Sequence, residues 1–271
     1  MGERPTALIT GASSGFGAHF VRMLAAEGHD VVLVARRGLP MEELAQDVEE
    51  RHGVEAIVIP KDLGRPNAAR DVLANLRQRH HDRIDVLVNS AGFTQFGPFA
   101  ELPEDEMLEL LNVNTVALTQ LTRLVLPGML ERRRGIVVNM SSNAAFQPGP
   151  MMASYYASKA FVLNFSLALS EEVRGSGVTV TALCPGPTRT GFQTRAQMED
   201  SKLVQGRKLP SALEVVEWGW AQAKAGKPMA IHTTRWQASA LMTRFLPRTT
   251  AARMAKNAQA RVGAPALTPP P

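Results

Sequence analysis

Nearly unbroken apolar runs alternate with amphipathic stretches along most of the chain. Seven runs read as strands: Thr6–Thr10, Val31–Arg36, Glu55–Pro60, Asp85–Ser90, Gly135–Ser142, Thr179–Pro185 and Met229–His232. The first six are so rich in Val, Ile and Leu that both faces of each must be covered, as in buried parallel strands. Between them apolar residues recur at helical spacing over Gly15–Glu27, Met41–His52, Asn67–His80, Glu104–Leu130 and Ser154–Arg174. This alternation predicts a doubly wound α/β fold: a seven-stranded, mostly parallel sheet with helices on both faces. Ligands of such sheets sit beyond the carboxyl ends of the strands, so residues at strand ends carry the functional reading.

Composition narrows the classes. A chain of 271 residues, 45% of them hydrophobic, can bury one substantial core. The longest apolar stretch, Thr119–Leu130, is broken by polar residues well short of the roughly 20 needed to span a bilayer. Met1–Thr10 leads into a strand with no charged-then-apolar leader, so a cytoplasmic protein is expected. Cys184 is the one cysteine, which excludes an internal disulfide and suits a small buried side chain. The six His are scattered, with no metal-ligand spacing, and no metal is expected. The net charge of +5 is concentrated at one end: Trp218–Pro271 holds eight Lys or Arg and no Asp or Glu, leaving 22 basic against 25 acidic groups before it. That distribution argues against nucleic acid. It reads as a solvated face or one paired with the acidic body, the alternative being an acidic partner or peripheral contact with an anionic membrane.

The first strand runs into Thr10-Gly11-Ala12-Ser13-Ser14-Gly15-Phe16-Gly17 and then a helix. Glycines at this turn permit unusual dihedrals and close backbone approach, and the amides that open the helix can face a pyrophosphate. A glycine turn alone is weak evidence; its place between first strand and first helix gives it weight. The second strand ends in Arg36-Arg37, where a site for an unphosphorylated ribose would carry an acid. Arg36 could instead face a 2′-phosphate, with Ser13 or Arg37 assisting, because a guanidinium matches phosphate in charge and shape. Further on, Tyr155 and Lys159 share a helix face at four-residue spacing, where the ammonium would favour the phenolate and lower a phenol's pKa.

Together these motifs resemble the short-chain dehydrogenase/reductase family, whose pattern joins Gly-x-x-x-Gly-x-Gly to Tyr-x-x-x-Lys. The resemblance covers about Thr6 to Thr190 and implies a Rossmann-like fold and an NADP(H)-dependent oxidoreductase that moves a hydride between nicotinamide and a carbonyl or secondary alcohol. Ser142, thirteen residues before Tyr155, matches the substrate-orienting serine, and Asn114 within Asn112-Val113-Asn114-Thr115 matches the asparagine that holds a water linked to the lysine. Asn89-Ser90-Ala91-Gly92 resembles the element expected to border the cofactor through Asn89, Ala91 and Gly92. Asp62 and Leu63 match the pair near adenine, and Pro185, Gly186, Thr188 and Thr190 lie in the loop expected to grip the carboxamide. The implied cofactor set adds Gly11, Ser13, Ser14, Gly15, Phe16, Gly17, Arg36, Arg37, Tyr155 and Lys159, and a homodimer or homotetramer is implied. The other classes are a catalytically silent NADP(H)-sensing protein, against which the intact Tyr, Lys, Ser and Asn speak, and an epimerase or dehydratase.

Phe93, Phe96, Phe99, Phe146, Met151, Met152 and Phe192 fall in loops above the strand ends and predict a greasy mouth for a lipophilic small molecule. The expected organisation is a single dinucleotide-binding and catalytic domain, 1–262, with a substrate lid region at 193–225, a basic helical segment at 235–260 and a Pro-rich tail at 263–271. The mobile part of the lid is placed at Gln193–Leu209. Trp236, Ala240, Leu241, Phe245 and Leu246 predict one helix with an apolar stripe, which would cover the pocket, pair with another subunit or rest on a membrane.

Overall fold

The computed structural model of the protein describes residues 4–191, 201, 206 and 208–259. Its strands are β1 (Thr6–Thr10), β2 (Asp30–Ala35), β3 (Ala56–Pro60), β4 (Val86–Asn89), β5 (Gly135–Met140), β6 (Val178–Cys184) and β7 (Met229–Ile231). They form one sheet in the order β3-β2-β1-β4-β5-β6-β7, and every pairing is parallel, β7 included. The helices are α1 (Gly15–Ala26), α2 (Leu39–His52), α3 (Ala68–Gln78), α4 (Glu104–Leu111), α5 (Leu118–Glu131), α6 (Ala153–Glu172), α7 (Ala212–Lys224), α8 (Thr234–Met242) and α9 (Arg248–Gln259).

The continuous apolar strands are sorted by the pleat. Ala7 and Ile9 of β1 and Val31 and Leu33 of β2 face a core with Phe20 and Leu24 of α1, Met41 of α2 and Trp220 of α7. Leu8, Val32 and Val34 face the opposite core, with Leu76 of α3 and Leu121 and Met129 of α5. Each strand therefore packs a layer of helices on both sides, the arrangement that removes any need for polar alternation. Sheet order reverses at β1, whose neighbours are β2 and β4, and this opens a crevice at the carboxyl edge.

Two expectations change. The long helix over Glu104–Leu130 is interrupted: Asn112–Ala117 widens into a π turn between α4 and α5. A π turn inside an α-helix carries one extra residue per turn and is retained where a side chain needs re-aiming; Asn114 lies within it. The second half of the 193–225 region is a packed helix: α7 lies on α1 through Val216 and Trp220, with Trp220 Nε1 and Lys224 Nζ donating to the Glu27 carboxylate at 2.9 and 2.7 Å. Most of the 193–209 stretch, Phe192 and the tail lie outside the described residues.

One hydroxyl ties the crevice together. Thr10 Oγ1, at the end of β1, accepts from the amides of Ser90 and Ala91, each at 3.0 Å, and donates to the Val88 carbonyl at 3.4 Å. Thr10→Val keeps the shape but leaves both amides without that acceptor, so it should cost about 2 kcal/mol in urea unfolding, whereas Thr10→Ser should cost less than half as much.

Candidate functional site

A cavity of about 820 Å³ lies along the carboxyl edge of the sheet. At its floor the glycine turn is closed by contact. Gly11 has φ +68°, and a Cβ there would meet the Ala91 backbone at 2.9 Å; a Cβ on Gly17 would come within 2.3 Å of the Gly11 carbonyl oxygen. Larger residues at either position would force β1, α1 and the loop after β4 apart. Ser13, Ser14, Gly15 and Phe16 line the cavity, with Gly17 packed behind them.

Arg36, Arg37, Lys61, Asp62 and Leu63 line one part of the cavity. Arg37 donates to Ser13 Oγ at 3.3 Å, which places a guanidinium beside the glycine turn. Arg36 is engaged by α4: its Nη1 donates to Glu109 Oε1 at 2.6 Å. Lys61 is a lining cation that the sequence reading passed over, and its position at the end of β3, directly before Asp62, was the available signal. Asn89 is corrected. It is buried in the sheet, donating to Thr122 Oγ1 and Asn139 Oδ1 at 3.1 and 2.9 Å, and it is Ser90, Ala91 and Gly92 that face the cavity.

Ser142, Tyr155 and Lys159 come together on β5 and α6. Ser142 follows β5 in an extended conformation, and its Oγ caps the next turn by accepting from the Ala144 amide at 3.1 Å. The Ser142 hydroxyl donates to Asn143 Oδ1 at 3.2 Å and stands beside the Tyr155 phenol, whose ionisation it favours. Lys159 lies one helical turn further on, its Nζ 5.7 Å from the Tyr155 ring centre and donating to the Met140 carbonyl at 2.8 Å. Ser141 also lines the cavity, and its hydroxyl is engaged by α6, donating to the Lys159 carbonyl at 2.9 Å. Asn114 Oδ1 accepts from the Phe93 amide at 3.2 Å, and its Nδ2 donates to the Phe93 carbonyl and to Ser158 Oγ, both at 3.1 Å. A Cβ built on Gly92 would lie 3.0 Å from Asn114 Oδ1 and 3.4 Å from Lys159 Nζ, so only glycine leaves room between the carboxamide and the ammonium. Ser158, absent from the sequence reading, links Asn114 to α6 and donates to the Tyr155 carbonyl at 2.7 Å.

Burial sets the ionisation. The Tyr155 phenol is pushed up from its ordinary value of 10 by burial, opposed only in part by the nearby Ser142 hydroxyl. Lys159 is lowered to about 8, again by burial. The apolar surroundings of Tyr155 favour the neutral phenol, and the Lys159 amine is held on the Met140 carbonyl. Cys184 is a buried free thiol, raised to about 12.

The loop between β6 and α7 completes the site. Pro185, Gly186, Thr188 and Thr190 line the cavity, the Pro185 carbonyl accepts from the Asn143 amide at 2.9 Å, and Thr188 Oγ1 donates to the Gly186 carbonyl at 2.9 Å. Trp236 of α8 lies against Gly186, where a Cβ would sit 2.1 Å from Trp236 Nε1. The greasy mouth is smaller than expected. Phe93 and Met152 are buried and line it, Phe96 packs beside them, but Phe99 is 59% exposed and Phe146 packs on the β6–α8 side. The single apolar stripe is corrected as well: Trp236 and Ala240 face inward, whereas Leu241 and Phe245 face solvent, because the chain turns between α8 and α9.

With this geometry in place, the comparisons are specific. The profile of the short chain dehydrogenase family matches residues 5–201. The chain belongs to that family. A very-long-chain 3-oxoacyl-CoA reductase from Anas platyrhynchos is 36% identical over 184 residues, 66% of this short-chain dehydrogenase and 58% of the relative. An inactive hydroxysteroid dehydrogenase-like protein 1 from Rattus norvegicus is 34% identical over 184 residues, 66% of this chain and 54% of the relative. The match thus spans little more than half the length of these curated relatives. Among solved structures, a short-chain dehydrogenase from Sphingobium yanoikuyae in complex with NADPH is 34% identical with a TM-score of 0.79, covering 89% of this chain and 94% of its own. Among the described residues, no helix is long and apolar enough to cross a membrane and no cluster of His, Cys, Asp or Glu could hold a metal.

The buried amine of Lys159 makes stability depend on pH. Its folded pKa of about 8 lies below the ordinary 10.5, so between these values the unfolded chain binds more protons and stability rises with pH; below pH 8 the full burial cost, roughly 3 kcal/mol, is present. Lys159→Met should therefore be more stable than the wild type at pH 7 in urea unfolding, and the difference should shrink as the pH is raised to 10. A difference that stays constant with pH would show that the amine titrates as it does in the unfolded chain.

Proposed function

We propose that the protein is an NADP(H)-dependent oxidoreductase acting on a lipophilic ketone or secondary alcohol. The observation that carries this reading is the buried Tyr155, beside Ser142 and one helical turn from Lys159, at a cavity that joins a glycine turn to an apolar cluster. The residues fit the cofactor: Gly11 and Gly17 allow only backbone at the pyrophosphate position, no acid follows β2, and Arg37, held on Ser13 Oγ, presents a guanidinium. Arg36 retains further N–H donors while one nitrogen is on Glu109. The NADPH bound by the Sphingobium relative supports the same choice.

When bound, the nicotinamide supplies or accepts the hydride. Tyr155 gives its phenolic proton to the carbonyl oxygen as negative charge builds there, and Ser142 Oγ holds that oxygen in line. The Lys159 ammonium then stabilises the phenolate left behind, an attraction strengthened by burial. Asn114, fixed by Phe93 and Ser158, sits beside the ammonium to orient a water that returns the proton. Oxidation of an alcohol uses the same groups in reverse. The long acyl substrate named for the Anas relative and the Phe93–Met152 cluster both support a lipophilic substrate. Exposed Val116 and Phe161, the latter stacked on Phe165, support self-association through the α5 and α6 side.

A silent NADP(H)-binding protein is the second reading, favoured by the resemblance to an inactive relative and weighed against by the complete Tyr155, Lys159, Ser142 and Asn114 set. Thermal-shift titration should show NADPH binding at least about tenfold more tightly than NADH, the difference a charge-assisted phosphate contact provides. NADPH oxidation over a panel of lipophilic ketones should fall by about 1000-fold in Tyr155→Phe while NADPH binding stays within about twofold. Tight binding with no turnover on any ketone or alcohol would select the silent reading.

A further inference from the structure

The C-terminal helices return to the site at two points. Trp236 of α8 lies on Gly186, and Gln259, at the end of α9, reaches Tyr156, donating from Nε2 to the phenolic oxygen at 2.5 Å. Ala251, Ala255 and Gln259 are the buried residues of α9, spaced by four, so they form one face; two of them are small and the last is the long polar side chain. Gln259 has no exposed surface, and its Oε1 finds no partner among the described residues. A carboxamide buried with one end unpaired is a liability for folding, and such groups persist where the paired end has a task.

That paired end fixes a wall of the cavity. Tyr156 lines it, packs with Phe93, Leu110, Val113 and Met152, and stands edge-on to Tyr155 with ring centres 6.1 Å apart. Its ring is confined from the other side by Gly149, where a Cβ would fall 2.2 Å from the ring carbons. The ring therefore lies between a loop glycine and a helix glutamine, beside the phenol that would protonate the substrate.

Resting on the function proposed above, we infer that Gln259 is a positioning residue that acts through Tyr156 to set how much bulk the cavity accepts next to the reacting carbonyl, so that docking of α9 defines substrate specificity. Gln259 touches no reacting atom in this role. The hydrogen bond restrains the Tyr156 ring, and the restrained ring limits one substituent of a ketone. A ligand with a small group on that side fits; one with bulk on both sides needs the ring to move.

The test uses the full chain with Gln259→Leu, Tyr156→Phe and the double variant. Each single variant should raise kcat/KM for ketones bulky on both sides, relative to methyl ketones, by about tenfold, a change of the size expected when a pocket gains room for a methylene or two. In Gln259→Leu the gain should come through KM, with kcat on methyl ketones and NADPH affinity within about twofold. The double variant should match the singles, because both remove one bond. Hydrogen exchange supplies a readout independent of turnover: amides of 250–259 should exchange about tenfold faster in Tyr156→Phe than in the wild type. Additive effects, unchanged discrimination among ketones, or unchanged exchange would overturn the inference. If the wild type reduces no ketone, the function proposed above fails, and the exchange comparison still decides whether Tyr156 holds α9.

Discussion

The site depends on one costly act of burial: a lysine amine is held within the protein beside a tyrosine, with the carbonyl at the end of β5 as its hydrogen-bond acceptor. Burying a cation disfavours its charge, and burying a phenol disfavours the phenolate, so the two groups rest in opposite roles. Tyr155 is a loaded acid, whereas Lys159 has a pKa close enough to neutrality to respond to what is bound nearby. The rest of the local structure serves this pair. Ser141 holds the α6 backbone at Lys159, Ser142 stands beside the phenol, and Asn114 closes the far side through Ser158 and Phe93.

The same constraint explains why the sheet is so apolar. A polar group can be kept dry at the strand ends only if both faces below it are sealed, and the two helix layers seal them. Thr10 then joins the ends of β1 and β4 with a single hydroxyl, so the glycine turn and the Ala91-Gly92 segment are positioned as one body.

Much of this was legible in the sequence, for identifiable reasons. Strands buried on both faces leave continuous Val, Ile and Leu runs, and a helix face at four-residue spacing puts Tyr155 beside Lys159 whatever the tertiary context. What escaped depends on contacts distant in the chain. Arg36 reads as a free cation until Glu109, 73 residues away, is seen beside it. Asn89 reads as a site residue until Thr122 and Asn139 claim its amide. The phenol's upward shift reflects the depth of the cavity, which no motif encodes, and the turn that separates α8 from α9 sends Phe245 outward although its spacing suits an inward stripe.

The π turn at Asn112–Ala117 can be viewed as an insertion preserved inside a helix. Removing one residue there would let α4 and α5 run into each other with ordinary α-helical hydrogen bonds across the join. It would also rotate the residues on one side of the deletion by about 100° relative to the other. Asn114 could then no longer face Phe93 and Ser158 while α5 kept its seat on the sheet. The irregularity is thus an alignment device: it lets a single helical segment satisfy two angular requirements, one imposed by the core and one by the site.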